Sequence, residues 1–508
     1  MAAALAVLSL LVSTPTKLSA DDAQPASKPN VLFIAIDDLR TSLGCYGDTL
    51  VKSPNIDRLA QSSRLFNRAY THQAVCGPAR TAILTGRLPD NTRVWHNRNL
   101  FRETIPNAVT LPQLFKNSGY QALSFGKVFS GAESELDPQS WSAPEVLHGE
   151  GWKNYLLPEN QGGGKQAPFE KADVPDDGYS DGKLANLAIA TLEKLQQQPQ
   201  PFFLAVGFFK PHLPFNAPKK YWDLYDPAVF ELKDGTTRVN GAPEIAYHTH
   251  RELGGYANVP EEEHVPAAQA RELRHGYYAC VSYTDAQVGK VLDALKRLGL
   301  DQNTIVVLWG DHGYSLGEKD RWCKGTNFER DTRVPLMIRA PGMAQPGAAT
   351  EALTEYVDVY PTLAELGGLR PPGDLDGRSL VPMLNDPLAK GRELVLSQFN
   401  RPWTPAVPEF MGYSIRTETH RYTRWVEWRS RKTTAEELYD YTSQASATRD
   451  GAFLIEQQNM VSNPAYAETL DRLRSKLDEV WSTRIKLKPT DALATGEPKT
   501  GKKRKKNP

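Results

Sequence analysis

Two unbroken apolar runs constrain this chain more than any other feature: Pro29-Asn30-Val31-Leu32-Phe33-Ile34-Ala35-Ile36 and Thr304-Ile305-Val306-Val307-Leu308-Trp309. Neither alternates polar and apolar residues, so neither reads as a strand with one face in water. Short runs rich in β-branched residues read instead as strands buried on both faces of a parallel sheet. Each run stops abruptly, the first at Asp37-Asp38 and the second at Gly310-Asp311-His312-Gly313. Parallel strands deliver the residues beyond their C-terminal ends to one sheet edge, where open α/β sheets bind ligands. Adjacent carboxylates repel each other unless a cation sits between them, and a hard divalent metal is the natural partner for clustered carboxylate oxygens. Asp-Asp after one strand is more often a plain loop. Two buried strands carrying such pairs to one edge are a much more specific signal.

The rest of the chain supports the same architecture. Gln121 to Phe125, Phe202 to Phe208 and Val334 to Ile338 read as further strands, with Lys127 beyond the first and Lys210-Pro211-His212 beyond the second. Helical spacing of apolar residues covers Asp181 to Gln197 and Arg271 to Leu298. Shorter helices are predicted over Ser53 to Ala60, with Ser53 as N-cap and Pro54 in the first turn, over Thr110 to Asn117, and over Asp358 to Leu366. The prediction is an α/β fold, a large mixed but mostly parallel sheet between helices, across residues 28–385. From about residue 390 the pattern changes to short strand candidates, Leu394 to Gln398, Tyr413 to Arg416 and Tyr422 to Trp428. A closing helix opened by Asn463 and Pro464 comes next, so residues 390–490 read as a C-terminal subdomain with a small antiparallel sheet. Residues 131–180 and 216–268 are irregular excursions, where specificity tends to reside.

Composition narrows the partners. Lys plus Arg equals Asp plus Glu, 60 each, so no charge excess marks a nucleic-acid partner. Four cysteines in 508 residues make no disulfide framework. Residues 1–20 have the apolar run and small residues of a secretory signal. No later run is long enough to span a bilayer, so the expectation is an exported protein, periplasmic or secreted, with no stable membrane anchor. The basic stretch 491–508 reads as a solvated, disordered tail.

The segment Cys76-Gly77-Pro78-Ala79-Arg80-Thr81-Ala82-Ile83-Leu84-Thr85-Gly86-Arg87 joins a lone thiol to a Gly-Pro turn. Pro78 favours the first turn of a helix. Cys76 would then lie at the helix N-terminus, where the dipole favours an anion, with Arg80 one turn on and on the same face. Alone, C-x-P-x-R is more often a structural cysteine in a turn.

The whole segment resembles the signature of the type I, formylglycine-dependent sulfatases, C-x-P-x-R with L-T-G-R after it, and with Ala79 where many members carry Ser. Asp37-Asp38, Gly126-Lys127, Lys210-Pro211-His212, Asp311-His312-Gly313 and Lys324 stand in the family's chain order, over roughly residues 28 to 490. Gly126-Lys127-Val128-Phe129, Val281-Ser282-Tyr283 and Leu316-Gly317-Glu318 are most similar to the iduronate-2-sulfatase branch. So is His312, where many sulfatases place Asn. The resemblance implies an alkaline-phosphatase-like fold and hydrolysis of a sulfate ester on a carbohydrate. It implies that a formylglycine-generating enzyme, the maturation partner, oxidises Cys76 to formylglycine, whose hydrate is the nucleophile. It implies a calcium ion held by Asp37, Asp38, Asp311 and His312 together with residue 76. Arg80 would orient the hydrate, Lys127 and Lys324 would grip sulfate oxygens, and His212 would meet the ester oxygen, a role for which Lys324 competes. One departure is Ser130, where the iduronate enzymes have a His shortly after Gly-Lys-Val-Phe. His96, His148 or a shifted loop could substitute. Two other classes stand beside this reading: a phospho- or phosphonate monoester hydrolase of the same fold, and a degenerate protein that only binds sulfated glycans. The single acidic cluster favours sulfate over the more highly charged phosphate.

Overall fold

The two apolar runs lie side by side in a seven-stranded sheet. The computed structural model describes residues 28–486 apart from 131–135, 148–151, 163–164, 232–236, 249–250, 261–263, 405–406 and 443–454. The expected signal segment, the basic tail and His148 lie outside the described residues. The strands of the sheet are β1 (Asn30–Ile36), β2 (Arg64–Phe66), β3 (Gln121–Gly126), β4 (Phe202–Phe208), β5 (Thr304–Gly310), β6 (Leu336–Arg339) and β7 (Ala349–Thr350). Their spatial order is β7-β2-β6-β5-β1-β4-β3. The block β5, β1, β4 and β3 is parallel, and β6 runs against its neighbours β5 and β2. The register pairs Ile36 with both Phe208 and Gly310. Asp37, Phe209 and Asp311 therefore leave three adjacent strands at one edge.

Two-sided burial is what the unbroken apolar runs require, and helices supply it. Val31, Phe33 and Ala35 pack with Ile83 and Leu84 of α1 (Cys76–Thr85) and with Leu111, Phe115 and Leu363. Leu32, Ile34 and Ile36 pack on the other face with Leu184, Ala188 and Leu192 of α2 (Ser180–Leu195) and Tyr277, Val281 and Val288 of α3 (Ala267–Arg297). The expected Val334 to Ile338 strand is divided. Pro335 cannot donate to a ladder, so Arg333–Val334 pairs with Ala69–Tyr70 while β6 joins the main sheet. Ser53 precedes the helix Pro54–Ala60 without capping it; its hydroxyl accepts from the Gly44 N–H and donates to Asp57. Thr110 does cap its helix, in a capping box with Gln113.

The C-terminal sheet has four antiparallel strands, one more than its sequence announced: β8 (Leu394–Arg401), β9 (Phe410–Thr417), β10 (His420–Glu427) and β11 (Thr433–Asp440). Leu470, Leu473, Leu477 and Val480 of α4 (Ala467–Thr483) pack against Tyr413, Ile415 and Tyr422 of this sheet. β8 is tied to the chain just before α1, through Gln398 N–H to the His72 carbonyl at 2.7 Å and Ser397 Oγ to the Thr71 carbonyl at 2.7 Å. That tie brings the end of β8 close to the start of α1.

Candidate active site

Cys76 is the first residue of α1, after an extended Val75. Its Sγ lies 3.5 Å from Asp37 Oδ1, 3.5 Å from His312 Nε2 and 3.4 Å from Lys127 Nζ. Burial, reinforced by the Asp37 charge, pushes the thiol pKa well above its ordinary value. A thiol that stays protonated is a poor nucleophile. Burial at the point on which the architecture centres thus disfavours the thiolate of an unmodified cysteine.

The helix start also sets Arg80. Its Nη2 donates to Asp37 Oδ1 at 3.0 Å and its Nε to Asp311 Oδ2 at 2.9 Å. Nη1 reaches the Lys127 and Val128 carbonyls, and the guanidinium lies over the Trp309 ring at 5.4 Å. Arg80 so clamps the carboxylates beyond the ends of β1 and β5. Lys127 reaches the same edge because β3 and β4 end unusually close together. A Cβ on Gly126, at φ +73°, would lie 2.1 Å from the Gly207 carbonyl oxygen, and one on Gly207 would lie 2.1 Å from that of Lys127. Only glycines permit this approach. Lys127 Nζ lies 2.5 Å from Asp37 Oδ2. Burial alone would raise the Asp37 pKa, but Lys127, His212 and Arg80 together hold it well below the usual carboxylate range.

Asp38 adopts a left-handed backbone, φ +58°, which Asp tolerates better than most residues. Its N–H donates to Asp311 Oδ1 at 3.0 Å, and its carbonyl accepts from Tyr277 OH at 2.8 Å. Lys324 comes directly after the short hairpin of Ser315–Leu316 with Trp322–Cys323. Its Nζ lies 3.0 and 2.9 Å from the two Asp38 oxygens and 2.8 Å from Glu252 Oε1. His212 Nε2 is 3.3 Å from the same Glu252 oxygen and 4.0 Å from Asp38 Oδ2, with Nδ1 on the Leu213 carbonyl. Burial lowers the His212 pKa to about 4 against the pull of Asp38. Lys210 stays out of the cluster, its ammonium taken by the Trp152, His212 and Pro214 carbonyls.

The donor set fits a hard divalent cation. Ligand atoms of Asp38, Cys76, Asp311 and His312 lie within 4.8 Å of one another, and those of Asp37, Asp38 and His212 form a second such group. His312 Nδ1 bonds to the Gly313 carbonyl at 2.9 Å, which turns Nε2 to Asp38 Oδ1 at 3.3 Å and Asp311 Oδ2 at 3.6 Å. In the neutral ring a lone pair would face two carboxylates, and a cation between them relieves that contact. Three buried carboxylates suit Ca²⁺, for which a nitrogen partner is unusual.

The structure thus brings together Asp37, Asp38, Cys76, Arg80, Lys127, His212, Asp311, His312 and Lys324. Glu252, on the single turn Arg251–Gly254, belongs with them and carried no motif in the sequence. Tyr277 read only as a stripe residue of a long helix, yet its hydroxyl braces Asp38 and accepts from the Arg40 N–H. His96 instead lies against Trp403, with ring centroids 4.9 Å apart and the rings tilted by 46°.

The architecture is the alkaline-phosphatase-like fold. The model of the Sulfatase family matches residues 29–369, and that of the N-sulphoglucosamine sulphohydrolase C-terminal region matches 317–483. The chain belongs to the sulfatase family and is a sulfuric ester hydrolase. Iduronate 2-sulfatase of Mus musculus is 38% identical over 466 residues, covering 78% of this chain and 84% of its own. The Homo sapiens protein of the same name is 37% identical over 466 residues, covering 78% and 85%. A phosphonate monoester hydrolase from Silicibacter pomeroyi superposes with a TM-score of 0.72 at 23% identity, covering 90% of this chain and 96% of its own. A 2-O GAG sulfatase superposes with a TM-score of 0.69 at 23% identity, covering 92% and 94%. At these identities the two structures speak to fold alone.

Proposed function

We propose that this sulfatase removes sulfate from a carbohydrate ester in the manner of an iduronate-2-sulfatase, on glycosaminoglycan or other sulfated polysaccharide fragments, after export from the cell. One observation carries the reading: Cys76, buried at the first position of α1, stands in contact with Asp37, Lys127 and His312. Conversion of Cys76 to formylglycine would supply a hydrated aldehyde as nucleophile, and Ca²⁺ held by Asp37, Asp38, Asp311, His312 and residue 76 would supply charge to the sulfate. Arg80 fixes Asp37 and Asp311. Lys127 lies against residue 76, where it offsets negative charge on the nucleophile and on a sulfate oxygen. Lys324 Nζ and His212 Nε2 face one another across Glu252 and are the two groups that can meet the departing alcohol oxygen. All these groups come from the proposed catalytic part, 28–385; the proposed C-terminal subdomain, 390–490, contributes none. Among the described residues no helix is long and apolar enough to cross a membrane.

The fold likeness to a phosphonate monoester hydrolase makes phosphonate esters the second reading. Arg80, Lys127 and Lys324 already balance Asp37, Asp38 and Asp311. A sulfate ester and a phosphonate monoester each carry one negative charge, so turnover, not charge, separates the two readings. The test is turnover of a 2-sulfated uronate disaccharide, an aryl sulfate and an aryl phosphonate by protein produced with a formylglycine-generating enzyme, with mass spectrometry of the Cys76 peptide. Sulfate release with an aldehyde at position 76 is expected. Faster phosphonate turnover would transfer the assignment to the second reading.

A further inference from the structure

A pocket of about 200 Å³ opens beside Lys324. That is below the roughly 300–1,000 Å³ of sites for drug-sized ligands and on the scale of one sugar ring. Glu252 and Lys324 line it on the side of the cluster, while Phe399, Arg401 and Trp403, at and just beyond the end of β8, form another side. The Trp403 ring is held by His96 at 4.9 Å and Phe399 at 6.3 Å between centroids. Such a platform suits the apolar face of a pyranose.

Arg401 is the unusual member. Its Nε donates to the Ile245 and Tyr247 carbonyls at 3.2 and 3.3 Å, and its Nη1 to the Asn400 carbonyl at 3.1 Å. Nη2 donates to the Gly325 and Ala246 carbonyls at 3.0 and 3.4 Å. It lies over the Phe399 and Trp425 rings at 4.8 and 5.4 Å. The guanidinium is fixed entirely by neutral acceptors and rings. Among the described residues no carboxylate lies within ion-pair distance; Asp331 and Glu437 act on it only from farther away. Burial accordingly draws its pKa down to about 9. The Glu252 charge in the same pocket is taken by Lys324 at 2.8 Å. A preorganised cation without a counter-charge, on the wall of a sugar-sized pocket, is built for an anion on the ligand.

We propose that Arg401 is a specificity-determining residue that receives the carboxylate of the sulfated ring, that ring lying along Trp403. This rests on the sulfatase reading above. The test compares kcat/KM for a 2-sulfated uronate disaccharide and its carboxyl-reduced counterpart, because their ratio is independent of how much protein carries the modified residue. A charge-assisted hydrogen bond predicts a ratio of about ten to one hundred in the unmutated protein. Arg401→Gln should bring the ratio close to one through KM for the uronate, and Arg401→Lys should keep part of the preference. The inference fails if the unmutated protein shows no preference for the carboxylate, or if both variants keep the full ratio. If the unmutated protein releases sulfate from neither sugar, the iduronate-type substrate reading is what falls. Binding of unsulfated glucuronate against glucose by calorimetry then decides Arg401 alone, and equal affinity overturns it.

Discussion

The Lys324 ammonium lies between two carboxylates, Asp38 on the strand-end side and Glu252 on the pocket side. Burial alone would lower its pKa, but these two neighbours raise it well above the ordinary value, so the group is a fixed cation at neutral pH. A cation already aimed by two anions costs little to reorganise when charge builds on a transferring sulfuryl group. Lys324→Ala should therefore lower kcat by about 10²–10³-fold with a smaller change in KM, as measured by steady-state sulfate release. An equal loss in KM alone would make Lys324 a ground-state binding residue. Cys76→Ala is the sharper case: sulfate release should fall to background while binding of Ca²⁺, followed by calorimetry, persists through Asp38, Asp311 and His312. Residual turnover above background would remove residue 76 from the chemistry. At this scale the sequence was most informative where residues come just after a buried strand, as Asp37, Asp38, Asp311, His312 and Lys127 do. Glu252 escaped because it stands on a lone helical turn in an irregular stretch, where spacing carries no information about direction.

Among elements, the central strands were legible because burial on both faces forces an unbroken apolar run, and β4 matches its predicted bounds. β11 was not. Its first half, Thr433-Thr434-Ala435-Glu436-Glu437, is polar, although Glu437 itself is buried. Glu437 Oε1 accepts from Trp425 Nε1 at 2.8 Å and Oε2 from Tyr439 OH at 2.6 Å. Burial outweighs those two bonds and pushes its pKa from 4.5 up to about 7. Between those values the folded protein keeps a proton that the unfolded chain releases. The favourable contribution is thus complete below about pH 4.5 and is lost as pH rises through about 7. At 1.36 kcal/mol per pH unit, the span is worth about 3 kcal/mol. Glu437→Gln, which cannot ionise, should flatten unfolding free energy between about pH 4.5 and about pH 7, measured by denaturant titration. A variant with the unmutated slope would place the pH dependence elsewhere in the chain.

For the whole molecule, the sheet edge is a charge balance assembled from distant parts of the sequence. Asp37 and Asp38 come from β1, Asp311 from β5, Arg80 from α1, Lys127 from β3 and Lys324 from beyond a hairpin, and the opposite charges pair at 2.5–3.0 Å. Glu252, shared by Lys324 and His212, is the fourth carboxylate against these three cations, so the cluster carries about one surplus negative charge. A divalent cation more than offsets that surplus and leaves a positive excess in a low-dielectric place. An arriving sulfate group removes part of that excess, and the cation in turn offsets the repulsion that Asp37, Asp38 and Asp311 exert on an anion. Each ligand should then raise the affinity of the other by the same factor, a reciprocity that linkage requires. We expect Ca²⁺ to tighten inorganic sulfate binding by about ten- to a hundredfold. In thermal unfolding, the shift from both together should exceed the sum of the separate shifts. Strictly additive shifts for sulfate would mean that the cation and the anion do not share this cluster, and would separate the metal site from the sulfate site.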